Sequence, residues 1–238
     1  MIPIESVMSK VWNKKIFEHI QEEVDQASKD LAEERGPCPD AADYGINERF
    51  SNKTAIAPTA SISIICGGTS PGIEPIAANS FTHKTLSGSF NVRNKYLQQI
   101  LEKYNKNDDE TWSGITTNQG SVSHLDFLTQ KEKNVFKTAF EINQQWIVEL
   151  GADRTPNISQ AQSINIFIPA DVHKKELHQI HFQAWKKGLK SLYYCRSKSI
   201  QRAENINNGS STDVKLNVYK SKTEKSDEIE YEECLSCQ

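Results

Sequence analysis

Three short stretches hold side chains whose types and spacing suit them to chemistry. Cys234-Leu-Ser-Cys237 sets two thiols at a separation from which they can form or exchange a disulfide without long-range folding, and each can tune the other's pKa. The same spacing would instead suit half of a zinc site, but no second ligand pair accompanies it. Tyr193 and Tyr194 are adjacent phenols. On a strand they would face opposite sides, with one packed in a core. Pro58-Thr59-Ala60-Ser61-Ile62-Ser63 follows a short apolar run. Proline suits the first turn of a helix, and the amides after it are then free donors beside the hydroxyls of Thr59, Ser61 and Ser63, an arrangement that suits phosphate. The competing reading is a buried strand followed by a Gly/Ser-rich turn, since the glycines after Ser63 follow no named phosphate fingerprint.

These stretches need elements to place them. Met8, Val11, Trp12, Ile16, Ile20, Val24, Ala27 and Leu31 recur at helical spacing, and Gly36-Pro-Cys-Pro39 ends that helix. Its wide apolar face needs cover from later segments or from another chain. Residues 40–53 are polar and turn-rich. Val92, Tyr96, Leu97, Ile100, Leu101 and Tyr104 mark a second helix with Asn91 as N-cap, and 105–124 read as loop. Thr129-Gln-Lys-Glu132 is a capping box for a third helix carrying Phe136, Ala139, Trp146 and Leu150, ended by Gly151. Ser163–Ile168 alternates as a strand does, Pro169-Ala-Asp171 opens a helix that Gly188 stops, and Leu189–Tyr194 reads as a second strand. Short links make this a right-handed parallel strand–helix–strand unit, with Tyr193 and Tyr194 at the carboxyl end of a strand. Residues 200–238 bury too little apolar surface to offset ordering entropy and read as a flexible tail. The 40 residues from Tyr194 to Cys234 span roughly 32–38 Å as a flexible chain.

At 238 residues the chain can build a sizeable core. A net charge of −3 with interspersed signs gives no surface for nucleic acid or membrane, and no apolar run reaches the length of a span. Cys38, Cys66 and Cys195 are isolated, a usage that fits a reducing cytoplasm. Cys66 reads as a small buried residue. His173, His178 and His181 share a helix without a metal-ligand pattern and read as a solvated face.

Thr54–Ser63, Gly72-Ile-Glu-Pro75, Thr82–Phe90, Gln160–Pro169, Ala184–Tyr194 and the terminal Cys234-Leu-Ser-Cys237 occur in this order, and together they resemble the large (alpha) subunit of class I ribonucleotide reductase. The match at Leu31–Gly36 lies well past the middle of that subunit. The resemblance implies an α/β fold: the carboxyl-terminal part of the family's ten-stranded strand-and-helix barrel over residues 1–199, with a redox tail over 200–238. It implies that Pro58, Thr59, Ala60, Ser61, Ile62 and Ser63 hold the substrate's diphosphate. Tyr193 and Tyr194 would relay an electron hole, and Cys234 and Cys237 would re-reduce an active-site disulfide. The family's thiyl-radical cysteine and its allosteric sites have no counterpart here.

The expectation is therefore a ribonucleoside-diphosphate reductase that is inactive as an isolated chain, whether a split-gene product or not. It would need the amino-terminal half of the large subunit, a small subunit carrying a dimetal centre and tyrosyl radical, and thioredoxin or glutaredoxin as reductant. This chain would bind no cofactor of its own. The alternative is a non-catalytic paralogue that binds nucleotide or the small subunit and regulates assembly.

Overall fold

The computed structural model describes residues 1–85 and 88–197. The long first helix, α1 (Val7–Arg35), starts where the Ser6 side chain accepts from Ser9 N at 3.2 Å and ends at Gly36. Gly36 has φ +79°, the left-handed conformation in which glycine pays no Cβ penalty. A short α2 (Pro39–Asp43) opens the stretch read from the sequence as polar and turn-rich. The periodic apolar face of α1 is not its packing face: Met8, Val11, Trp12, Ile16 and Ile20 are exposed, and Ser28 and Ala32 are buried. The inner face is held by polar contacts instead. Asn13 Nδ2 donates to Leu150 O at 2.9 Å, and the Arg154 guanidinium lies 5.7 Å from the Phe17 ring.

The run before Pro58 pairs with a distant segment. Ile56 bridges Gln162 in parallel, with Ile56 N donating to Ala161 O at 3.2 Å and Ser163 N to Ile56 O at 2.8 Å. Helix α3 (Ala60–Ile65) follows directly. Strands β1 (Ser80–Thr85) and β2 (Gly88–Arg93) form an antiparallel hairpin in which Thr82 faces Asn91. Asn91 is therefore a strand residue. The N-cap of α4 (Lys95–Lys103) is Asn94, whose side chain accepts from Tyr96 N at 3.1 Å and is itself tied to Asn79 at 2.8 Å.

The stretch expected as loop contains a helix, α5 (Asp109–Thr117), capped by Asp108 accepting from Thr111 N at 2.8 Å. Only Trp112 and Ile115 of that helix are buried, too few to set a period in the sequence. The capping box at Thr129 and Glu132 forms with both hydrogen bonds, but α6 (Gln130–Val135) ends after one and a half turns. A second cap at Asn143 starts α7 (Gln144–Arg154), so the single helix expected here is two. Gly151 lies inside α7 rather than at its end. A Cβ there would sit 2.8 Å from Ile164 Cδ1 and 3.2 Å from Leu189 Cδ2, so its bareness serves close packing.

The strand–helix–strand unit forms as expected in topology. Strand β3 (Ile166–Ile168) runs parallel to β4 (Cys195–Ser197), and α8 (Lys174–Lys186) connects them. The last strand is assigned later than expected, so Tyr193 and Tyr194 precede β4 and do not lie at its carboxyl end. Ile164, Ile166 and Ile168 face α7 and α8 in one apolar core with Ile147, Val148, Ile180 and Ala184. A separate core gathers Leu97, Leu101, Trp112, Ile115, Val122 and Phe136. Trp185 near the end of α8 is 73% exposed, although Ile180 and Ala184 of the same helix are buried. Among the described residues no helix is long and apolar enough to cross a membrane.

Candidate functional site

Helix α3 settles the choice left open by the sequence around Pro58: the chain turns into a helix there. Its N-cap is Thr59, whose N–H and hydroxyl both donate to Pro71 O at 3.0 Å. The amides of Ala60, Ser61 and Ile62 in the first turn make no hydrogen bond to the described residues, as the start of a helix requires. Of the three hydroxyls expected to assist, Thr59's is on Pro71, and that of the buried Ser63 donates to Ala60 O at 2.7 Å. Ser61 is exposed and carries the hydroxyl that has no intramolecular task among the described residues. Cys66, expected to be buried, is exposed at the end of α3.

The turn that receives Thr59 is stapled by Glu74. Ser70 Oγ donates to Glu74 O at 2.5 Å, and the Glu74 side chain, 5% exposed, folds beneath Gly72. A Cβ on Gly72 would lie 2.6 Å from Glu74 Oε1. Glu74 Oε1 accepts from Asn165 Nδ2, which belongs to the segment leading into β3. Glu74 Oε2 and Asn165 Oδ1 are buried without a hydrogen-bond partner among the described residues. Nearby, Arg154 is 4% exposed, donates from Nε to Gln162 Oε1 at 2.6 Å, and has its pKa lowered to about 10 by burial, against the opposing charges of Glu74 and Asp153. Sequence reasoning left Glu74 without a role and did not single out Asn165 or Arg154. A glycine immediately before Ile-Glu, reporting a carboxylate packed on backbone, was the available signal.

Tyr193 and Tyr194 are 42% and 43% exposed, with ring centroids 4.1 Å apart and planes inclined at 54°. Regular strand alternation would separate them. The hydrogen bonds show the departure. Tyr193 N donates to Ile164 O at 2.8 Å and Ile166 N to Tyr194 O at 2.9 Å, while Ile166 pairs with Cys195. Regular pairing begins at Ile166 and Cys195, so both tyrosines lie just ahead of the ladder, in a stretch held to the other segment by backbone bonds but not bound to strand alternation. The Arg196 guanidinium lies 5.6 Å from the Tyr194 ring, a cation–π distance. Burial pushes the neighbouring Cys195 thiol above its ordinary range, which disfavours thiolate chemistry there.

The structure thus gathers α3, its 70–74 turn and the 160–168 segment, and it puts the tyrosine pair just ahead of the strand beside that segment. Cys234 and Cys237, and the division expected after residue 199, lie outside the described residues. A cleft of about 610 Å³ lined by Phe140, Gln144, Phe167 and His173 includes none of Pro58–Ser63, Tyr193 or Tyr194 in its wall. Histidines 173, 178 and 181 are exposed, His173 serving as N-cap of α8. Among the described residues no cluster of three or more His, Cys, Asp or Glu could hold a metal ion.

The family profile described as the barrel domain of ribonucleotide reductase matches residues 40–195. The ribonucleoside-diphosphate reductase large subunit of Invertebrate iridescent virus 6 is 47% identical over 209 residues, 86% of this chain and 22% of that protein. The large subunit from Invertebrate iridescent virus 3 is 44% identical over 89% of this chain and 34% of its own length. Among solved structures, the alpha subunit of the Actinobacillus ureae class Id ribonucleotide reductase superposes with a TM-score of 0.75 at 36% identity, covering 83% of this chain and 36% of that one. The chain thus spans between 22% and 36% of the length of these relatives. With a parallel strand–helix–strand unit at the end of the matched region, the chain belongs to the ribonucleotide reductase large-subunit family and forms part of its barrel domain.

Proposed function

We propose that this chain contributes the phosphate-binding turn and the tyrosine relay of a ribonucleoside-diphosphate reductase, acting with the remaining portion of the large subunit. The paired rings of Tyr193 and Tyr194 carry this reading. Electron transfer falls off steeply with distance, and two oxidisable phenols stand 4.1 Å apart between centroids where regular strand alternation would separate them. As the hole passes, each phenol gives an electron and its phenolic proton to the oxidised residue before it and regains both from the next residue in the relay. The dimetal centre and tyrosyl radical belong, in this reading, to the small subunit. The substrate is a ribonucleoside diphosphate, held at α3 by the amides of Ala60, Ser61 and Ile62 with help from the Ser61 hydroxyl.

Tyrosine to phenylalanine removes the hydroxyl and leaves the ring's volume. Tyr193→Phe or Tyr194→Phe in the assembled enzyme should leave nucleotide affinity and assembly unchanged and abolish turnover. Near-normal turnover in both variants would reduce the pair to packing. Cys234 and Cys237 would serve as a thiol shuttle between thioredoxin or glutaredoxin and the active site. Changing both to serine should stop thioredoxin-driven turnover and spare part of the activity supported by a small dithiol.

A further inference from the structure

Both ends of the α3 loop are fixed to the same distant segment, and by different means. Residues 54–56 enter it through backbone bonds to 160–163, including Gln160 N to Thr54 O at 3.0 Å. On leaving α3, the chain is tied to that segment through the side-chain bond between Asn165 Nδ2 and Glu74, residues 91 apart in sequence. Between these anchors, Thr59 is held by Pro71 O alone of the exit turn, through two donors of 3.0 Å. The position of the first turn of α3 therefore depends on where residues 70–74 sit.

We infer that Glu74, acting through Asn165, is a positioning residue that sets the first turn of α3 for phosphate; this rests on the proposed phosphate role of that turn. Glu74 is a costly way to staple a loop. Its carboxylate is buried with one side-chain donor, and one of its oxygens has no partner among the described residues. An apolar residue would fill such a place more favourably, but it would not fix direction. The Asn165 amide does, because Asn165 stands one residue before β3, on the opposite side of the chain from Ile164 and Ile166, which are locked into the core against α7 and α8. Gly72 completes the arrangement: only a bare backbone lets the carboxylate fold up beneath the residue next to Pro71.

The test uses the full-length large subunit with its small subunit and CDP as the probe. Glu74→Ala and Asn165→Ala should each raise the dissociation constant for CDP by about tenfold, a loss typical of a displaced hydrogen-bonding group, with turnover at saturating CDP within about twofold. Glu74→Gln retains an oxygen that accepts from Asn165 Nδ2 and should come within about threefold of the parent. The Glu74→Ala, Asn165→Ala double variant should be no worse than the worse single variant, because the two act as one unit. Amide exchange should quicken at Thr59 and Ser63 while the amides of α4 keep their protection. Ser61→Glu, which repels phosphate directly, separates the two ideas. Weak CDP binding in Ser61→Glu with parental binding in Glu74→Ala overturns the positioning role and leaves the phosphate site standing. No effect from either removes the phosphate site, and the positioning role with it. Faster exchange in α4 as well, or failure of Glu74→Gln to recover binding, would make the pair a prop of the whole fold and overturn the inference.

Discussion

The core around α4, α5 and α6 and the core around α7, β3 and α8 are similar in size but close in different ways. The first is drawn entirely from residues 97–136, a continuous piece of chain. The second joins residues 142–148, 164–168, 180 and 184, with partly buried Ile4, Ile73, Leu189 and Leu192 packed against it. A core of local contacts forms at little loop-closure cost, whereas one of distant segments is ordered only when the whole unit is. The residues given a proposed role that the structure describes are all fastened beside the second core: residues 54–56 ahead of α3 are tied to 160–163, Glu74 to Asn165, and Tyr193 to Ile164. Exposed apolar residues also gather around it, on α1 and at Phe182 and Trp185 of α8. The local core acts as support, and the non-local core fixes the relative position of the segments that the proposed chemistry would need together.

The largest expected effect contrasts two tryptophans. Trp112 is 2% exposed, donates from Nε1 to Asn107 Oδ1 at 2.8 Å and lies 5.1 Å below the Arg93 guanidinium. Trp112→Ala should cost about 3–5 kcal/mol in urea unfolding. Trp185→Ala, at a side chain 73% exposed, should stay within about 0.5 kcal/mol. Equal losses would mean that α8 is buried in solution and the two regions are not distinct in the way described.

A smaller effect should differ in sign between the regions. Gly151 in α7 has Ile164 and Leu189 where a methyl would go. Overpacking of about 1–3 kcal/mol should outweigh the helix-propensity gain of about 1, so Gly151→Ala destabilises. Gly114 in α5 would meet only His124 Nε2, at 3.4 Å. Gly114→Ala should therefore stabilise by about 0.5–1 kcal/mol, read as a rise in the urea midpoint. Stabilisation at both sites would show that the α7–β3 contact is looser than the packing implies.

The same contrast explains what the sequence revealed. The Thr129–Glu132 box, the end of α1 at Gly36 and the strand–helix–strand unit are local or periodic signals, and all three form. The large-subunit family was legible because its motifs lie within short runs. Cap choice between Asn91 and Asn94 was not legible: it turns on Asn79, which the hairpin brings from a distance. Nor was the break between α6 and α7, where Gln144 donates from Nε2 to Ala139 O and Ile142 O at 2.9 and 2.7 Å and accepts from Phe167 N at 2.9 Å. The face of α1 was misjudged because apolar periodicity marks a face that avoids water, and it does not say that this chain covers it. Glu74 was opaque for the reason that makes it informative, since its partner is far away in sequence.

The smallest expected effect concerns how the non-local region is fastened to α1. Glu149 on α7 meets Lys187 at 2.8 Å beyond the end of α8 and Lys10 at 3.2 Å on α1, and Gln183 donates to it at 3.2 Å. The hydrogen bond from Lys187 holds the Glu149 carboxyl below its ordinary range, burial opposes this, and Lys10 adds to the lowering. Burial pulls Lys10 down, but the bond to Glu149 and the charge of Asp153 more than offset it and leave it raised. For a carboxyl with a lowered folded-state pKa, the stabilisation is complete above the unfolded value and disappears as pH falls through the folded one. The contribution should thus be present at neutral pH and vanish on acidification below about 4.3, the ordinary glutamate value. Because Lys10 and Lys187 are both partly exposed, solvent and salt screen the pairs, and Glu149→Gln should cost no more than about 1 kcal/mol at low ionic strength. Urea unfolding of parent and variant at neutral and acid pH, with and without added salt, reads this directly. The difference should shrink in salt and close in acid, whereas the loss from Trp112→Ala should persist in both. A Glu149→Gln penalty that survives acid and salt would show that α1, α7 and α8 are joined by packing rather than by charge, and the two regions would then share one kind of cohesion.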